Sequence, residues 1–161
     1  NKVEVGHLES DSIQFSKQRN ILSVQAERVT KKCHIARLKN KSAEQTEMAL
    51  NKAVEEYGEA HVKSITFDNG TENVKHTSLR DVYGLATYFC DAYASWQKGL
   101  VENINGLIRQ YFPLGTDMSK VTDEQIYEVQ EKLNNRPRKS LGYLTPNQMY
   151  SLSTQSGLLY A

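Results

Sequence analysis

At 161 residues, 39% hydrophobic and 24% charged, the chain has the size of one domain, able to bury roughly 70% of its unfolded surface without a disulfide or metal staple. No apolar run approaches the ~20 residues of a membrane span and no signal peptide is visible, which leads us to expect a soluble, globular protein. A formal net charge of +1 excludes a global positive field as the means of attracting nucleic acid. Cys33 and Cys90 stand outside any zinc-ligand spacing and read as reduced interior thiols, in keeping with a cytoplasmic setting. His7, His34, His61 and His76 are equally scattered and read as ordinary surface or hydrogen-bonded side chains.

In chain order, HLESDSIQF and NILSVQAERVT both alternate. His7, Glu9, Asp11, Ile13 and Phe15 share one face of the first; Leu22, Val24 and Ala26 share one face of the second, with Ile21 and Val29 on the other. KKCHIARL supplies a third strand. Ser42-Ala43-Glu44-Gln45 matches a capping box, with Gln45 reaching back to the cap. The helix that follows carries Leu50, Ala53, Val54 and Tyr57 at helical spacing and stops at Gly58. HVKSITF and LATYFCD read as two further strands, with a short helix over 77–83. Thr122-Asp123-Glu124-Gln125 and Thr145-Pro146-Asn147-Gln148 repeat the capping pattern, Pro146 falling at N1 where its missing N–H costs nothing. Ile126, Val129 and Leu133 stripe the first of these helices, and Pro137 closes it. The pattern predicts an α/β fold, a mixed central sheet of about five strands flanked by helices.

A helical wheel over 97–112 (QKGLVENINGLIRQYF) places Leu100, Ile104, Leu107, Ile108 and Tyr111 on one face. Lys98, Glu102, Asn105, Gly106 and Arg109 fall on the opposite side, with Glu102 and Arg109 two turns apart and nearly in line. A solvated face accounts for such a stripe, but Gly106 costs about 1 kcal/mol relative to alanine, and close approach of a backbone or a substrate would explain it. Asp68, in SITFDNG, stands where a strand breaks into a turn, a position that aspartate favours for its own sake. Asp11 is less easily dismissed, because a carboxylate in mid-strand beside Ile13 and Phe15 is disfavoured unless something binds it. If Asp11, Asp68 and Glu102 converge, each close pair repels by about 4 kcal/mol, and a divalent cation removes that penalty. Mg²⁺ or Mn²⁺ suits few carboxylates with room for water and phosphate, and two ions would support in-line attack on a phosphodiester. Two basic groups, Lys31, Lys32, Arg37, Lys39 and Lys41, and Arg136, Arg138 and Lys139, are solvated faces unless phosphate is nearby.

Asp11, Asp68 and Glu102 together resemble the acidic triad of DDE transposases and retroviral-type integrases, whose core has an RNase H-like fold. FDNGTE, YFCDAYASWQKG, ENINGLIRQYFPLGTD and LNNRPRKSLGYLTP look like the motifs of bacterial insertion-sequence transposases of the IS-thirty family, in that family's order. The resemblance implies a metal-dependent polynucleotidyl transferase that cleaves transposon-end DNA and joins the 3′-hydroxyl to target DNA. It makes Asp11, Asp68 and Glu102 the catalytic and metal-binding residues and Arg109 a DNA contact. Trp96 and Lys98 fall in an active-site loop, where core packing is the competing explanation for Trp96. Asn105, Arg136, Arg138 and Lys139 would join the DNA surface, and Glu72 and Asp91 would play supporting parts. Leu8-Glu9-Ser10-Asp11 replaces the family's usual Trp-Glu-Gly-Asp, which makes Glu9 a rival ligand. Val101 and Ser95 also depart from the usual residues. The expected upstream helix-turn-helix is missing, so the chain is read as a single catalytic core domain, bacterial and cytoplasmic, acting as a homodimer or higher multimer. The alternatives are a nuclease of the same fold without strand transfer, or an inactive DNA-binding or assembly module.

Overall fold

The computed structural model describes residues 4–16, 21–67, 82–89 and 99–155. Five strands, β1 (His7–Gln14), β2 (Ile21–Glu27), β3 (Cys33–Leu38), β4 (Ser64–Phe67) and β5 (Ala86–Phe89), form one sheet in the order β3-β2-β1-β4-β5. β1, β2 and β3 make an antiparallel meander, and β4 and β5 run parallel to β1. Four helices are described: α1 (Ala43–Tyr57), α2 (Gly99–Tyr111), α3 (Asp123–Asn134) and α4 (Pro146–Thr154). This is the mixed, helix-flanked sheet that the pattern predicts. Of the expected short helix over 77–83, Val82 and Tyr83 are helical and the rest lies outside the described residues. The strand expected from 61 begins only at Ser64, because Glu59–His61 form a 3₁₀ turn after Gly58.

Alternation assigns each strand face to a helix layer. Ile13, Phe15, Leu22, Val24 and Ala26 pack with Val101, Ile104 and Ile108 of α2 and Ile126, Val129 and Leu133 of α3. On the other face Leu8, Ile65 and Phe67 meet Leu50, Val54 and Tyr57 of α1 and Tyr150 of α4. Full burial of each large aliphatic side chain contributes about 1.5–3 kcal/mol, so the meander is held from both sides. Cys33 lies in the first core, and burial pushes its thiol up to about 12, as an inert interior thiol requires. Burial likewise holds His34 down at about 4, keeping it neutral beside Gln25.

The caps follow the sequence with one exception. Thr122 and Thr145 each open a complete capping box with Gln125 and Gln148. Ser42 accepts from the Gln45 N–H at 3.2 Å, but the Gln45 side chain does not reach back: its Oε1 takes the Lys39 N–H, and Asn40 Oδ1 already accepts from the Ser42 N–H at 2.8 Å. Asn40 therefore supplies the half of the box that Gln45 was expected to supply.

The free edge of β3 is closed by side chains of α3. Asn134 accepts from the Cys33 N–H at 2.9 Å and donates to the Cys33 carbonyl at 2.8 Å, as a neighbouring strand would. Gln130 Oε1 accepts from the Ile35 N–H at 2.9 Å. Asn134, from the LNNRP motif, is fully buried and so has a structural role. Asn134→Leu leaves two backbone groups unpaired, and we expect it to lower unfolding stability by about 2–4 kcal/mol, read as a shifted midpoint in urea denaturation. A loss below ~1 kcal/mol would show that the edge does not depend on this bond.

Candidate active site

Helix α2 lies along β1 in a matched register. Four residues of helix rise about 6 Å and two residues of strand about 6.6 Å, so Val101 and Asn105 keep step with Glu9 and Asp11, and the longer Arg109 side chain reaches one residue further, to Gln14. The Val101 N–H meets Glu9 Oε1 at 3.0 Å, Asn105 Nδ2 meets Asp11 Oδ2 at 3.1 Å, and Arg109 Nη2 meets the Gln14 carbonyl at 2.7 Å. Beyond the last pair the Arg109 guanidinium lies 4.7 Å from the centre of the Phe15 ring. Asn105 and Arg109, from the polar side of the wheel, thus meet the carboxylate-bearing strand β1.

Asp11 is half-buried, and its Oδ1 accepts from the Ser12 N–H at 2.8 Å. Glu102 follows Val101, stands one turn before Asn105 and is exposed. Val101 itself is fully buried, so the apolar face is centred on Val101, Ile104 and Ile108, whereas Leu100, Leu107 and Tyr111 are only partly covered. That rotation brings Asn105 against the sheet, onto Asp11. A Cβ on Gly106 would meet nothing within 4 Å among the described residues. No backbone among the described residues therefore approaches closely enough to account for this glycine.

Two polar atoms on this side of α2, Asn105 Oδ1 next to Asp11 and Arg109 Nη1 next to Phe15, are buried without a hydrogen-bond partner among the described residues. Desolvation pushes the Arg109 pKa down. Each orphaned group costs about 1–3 kcal/mol unless something satisfies it. A hard oxygen beside a carboxylate fits a hydrated Mg²⁺ or Mn²⁺, and an unused guanidinium N–H fits a phosphate oxygen. Among the described residues no three His, Cys, Asp or Glu side chains form a metal-binding group. Asp68, the third carboxylate of the expected set, lies outside them, as do Glu72, Asp91, Trp96 and Lys98.

Glu9, the rival ligand, has another occupation. It is buried, with one carboxylate oxygen on the Val101 N–H and the other accepting from Arg28 Nε at 3.1 Å. Both of its oxygens are thus engaged, one at the start of α2 and one on Arg28. The basic groups also separate. Arg37 is a structural clamp, bonded to Asp123 and to the carbonyls of Met118 and Val121, and Lys32 stacks on Tyr150. Arg136 donates to the Tyr111 hydroxyl at 3.0 Å, which sets it at the C-terminal end of α2. Arg138 and Lys139 lie in the turn that follows, with Lys139 exposed.

Along almost its whole length the chain matches transposases. It is 38% identical over 161 residues to the transposase for insertion sequence element IS4351 of Bacteroides fragilis, covering 99% of this chain and 49% of that protein. It is 36% identical over 149 residues to transposase InsI for element IS30A of Escherichia coli K12, covering 92% and 39%. This chain is a relative of the insertion-sequence transposases. It spans about half the length of the curated relatives it matches. No protein-family model matches it. The fold is that of an integrase catalytic core. The BIV integrase core superposes with a TM-score of 0.75 at 18% identity, covering 94% of this chain and 97% of that one. The HTLV-2 integrase catalytic core in complex with magnesium gives 0.71 at 18%, covering 92% and 97%. In this transposase-like core the RNase H-like sheet and the helix bearing Glu102 occupy the chain order that the motifs predict. No described helix is long and apolar enough to cross a membrane.

Proposed function

We propose that this chain is the catalytic core of a DDE transposase, a polynucleotidyl transferase that cuts the ends of a mobile DNA element and joins the freed 3′-hydroxyl to target DNA. The observation that carries the reading is the matched register of α2 on β1. It sets Asp11 on Asn105, one turn after Glu102, and leaves Asn105 Oδ1 and Arg109 Nη1 buried without a partner among the described residues. Asp68 follows directly on β4, whose parallel pairing with β1 runs through Leu8↔Ile65 and Glu9↔Thr66 toward Asp11.

Asp11, Asp68 and Glu102 would hold Mg²⁺ or Mn²⁺, as two ions. When bound, such ions polarise a phosphoryl oxygen and lower the pKa of an attacking water. In the first reaction a water oxygen bonds to phosphorus while the bond to the 3′ oxygen breaks, and a proton goes to that oxygen. In the second the freed 3′-hydroxyl attacks a target phosphodiester, losing its proton as the new bond forms and a target 3′ oxygen leaves. Asn105 holds the Asp11 carboxylate in place. Arg109 offers its unused N–H to a phosphate, and Trp96, Lys98, Arg136, Arg138 and Lys139 extend the DNA surface, with Glu72 and Asp91 in support. The 161 residues act as one catalytic domain, in a homodimer or higher multimer on paired element ends. Phosphate contacts of this kind make binding salt-sensitive.

The test is nicking and joining of element-end DNA by the complete natural protein with Mg²⁺ or Mn²⁺, beside its Asp68→Asn form. Joined products from the wild type and none from the variant are expected. Cut strands without joined ones would replace the transferase by a nuclease, and undiminished activity of the variant would remove Asp68 from the site.

A further inference from the structure

Glu9 is a buried carboxylate next to the proposed site that the proposed chemistry does not use. Val101 is the third residue of α2, so its N–H is one of the four at a helix start with no acceptor inside the helix. Glu9 Oε1 fills that position, at the end of the helix dipole that favours negative charge. Glu9 Oε2 takes Arg28 Nε, and Arg28 Nη2 reaches Thr66 Oγ1 at 3.5 Å. In the sheet Glu9 stands opposite Thr66 of β4 and Ala26 of β2.

This one side chain therefore engages the strand that carries Asp11, the helix that carries Glu102 and, through Arg28, the strand that precedes Asp68. It lies two residues before Asp11 on β1, binds the residue before Glu102 on α2, and through Arg28 reaches the residue two before Asp68 on β4. We infer that Glu9 and Arg28 form a positioning pair that fixes how α2 and the end of β4 sit against β1, and with it the placement of Asp11 and Glu102; the inference rests on the proposed function. Glu9 holds the start of α2 to β1, and Arg28 ties that anchor to the end of β4. The carboxylate is needed because it accepts from both sides at once. In Glu9→Gln the single carbonyl oxygen can serve Val101 or Arg28, and the amide N–H₂ then faces the other donor. The volume is kept and the tether is broken. Groups that orient metal ligands without touching the metal typically change affinity by about 10–100-fold.

The experiment compares this chain with its Glu9→Gln form, and with Ile126→Ala as a variant destabilised in the core of α3, away from the site. Mn²⁺ binding is measured by titration, and amide hydrogen exchange is measured without metal. We expect Glu9→Gln to weaken Mn²⁺ binding by about tenfold or more and to speed exchange at the first turns of α2 while leaving its C-terminal half unchanged. Ile126→Ala should leave Mn²⁺ affinity as it is. Rescue is read in the Glu9→Gln, Arg28→Met double variant, which removes the opposed donors and should lose less than the two single changes summed. If Glu9→Gln binds Mn²⁺ as the wild type does and α2 exchanges unchanged, the positioning role is overturned while the proposed function stands. If the wild-type chain takes no Mn²⁺, the proposed function falls and the positioning role with it.

Discussion

Asp11→Asn is expected to lower strand joining by about 10³-fold, equivalent to ~4 kcal/mol of transition-state stabilisation, while leaving the chain folded. The asparagine has nearly the same volume and can keep one of the two bonds Asp11 accepts, from Ser12 N–H or from Asn105 Nδ2. The loss of the other costs about 1 kcal/mol, a fall in melting temperature of roughly 2–4 °C. What the substitution removes is charge. A site for a hard divalent cation depends on anionic oxygen, and a neutral amide cannot offset two positive charges beside phosphate. Single-turnover joining by the complete protein, with a thermal melt on the same preparation, separates the two effects. Joining within tenfold of wild type would remove Asp11 from the chemistry and leave it as a partner of Asn105.

The largest effect on stability is expected at Glu27, a residue no motif picks out. It is fully buried at the end of β2, opposite Leu8. Its Oε1 accepts from the Val29 N–H at 3.1 Å and from Thr30 N–H and hydroxyl, both at 2.7 Å; its Oε2 accepts from the Gly6 N–H at 3.0 Å. The turn it holds contains Lys31 at φ 64, the left-handed region that costs a side-chain-bearing residue about 1–2 kcal/mol. Glu27→Leu leaves three backbone N–H groups without their acceptor, Gly6 and Thr30 buried and Val29 half-buried, each costing about 1–3 kcal/mol, and the leucine recovers about 2 kcal/mol by its own burial. A net loss of about 1–7 kcal/mol follows, against the 5–15 kcal/mol typical of a domain. Urea denaturation measures it, and a variant within 1 kcal/mol of wild type would mean that water replaces the carboxylate in the turn.

Glu27, Glu9 and Asn134 show where sequence reading stops. Each is a polar residue in a buried position, and each is satisfied by a partner distant in sequence or by a turn whose shape the pattern does not specify. Glu9 looks like a second ligand on paper, because alternation puts it on the same face as Asp11. Whether a carboxylate on that face meets a metal or a helix N-terminus depends on how far α2 slides along β1, and periodicity carries no information about that. Asn134 belongs to a motif shared with transposases, yet its amide completes the edge of β3. Arg37 sits in a basic cluster but spends its guanidinium on carbonyls near the start of α3.

What the sequence by itself determined is local or periodic. Strand alternation, the Thr122 and Thr145 boxes, the stop at Gly58 and the two-sided wheel of α2 follow from hydrogen-bonding and burial requirements within a few turns of chain, and they sufficed to bring Asp11 and Glu102 forward. Only the tertiary structure decided the register of α2 against β1, because it is set by side chains that meet across about ninety residues of sequence, Glu9 with Val101 and Asp11 with Asn105. That register gives Glu9 to the start of the helix and Asp11 to Asn105.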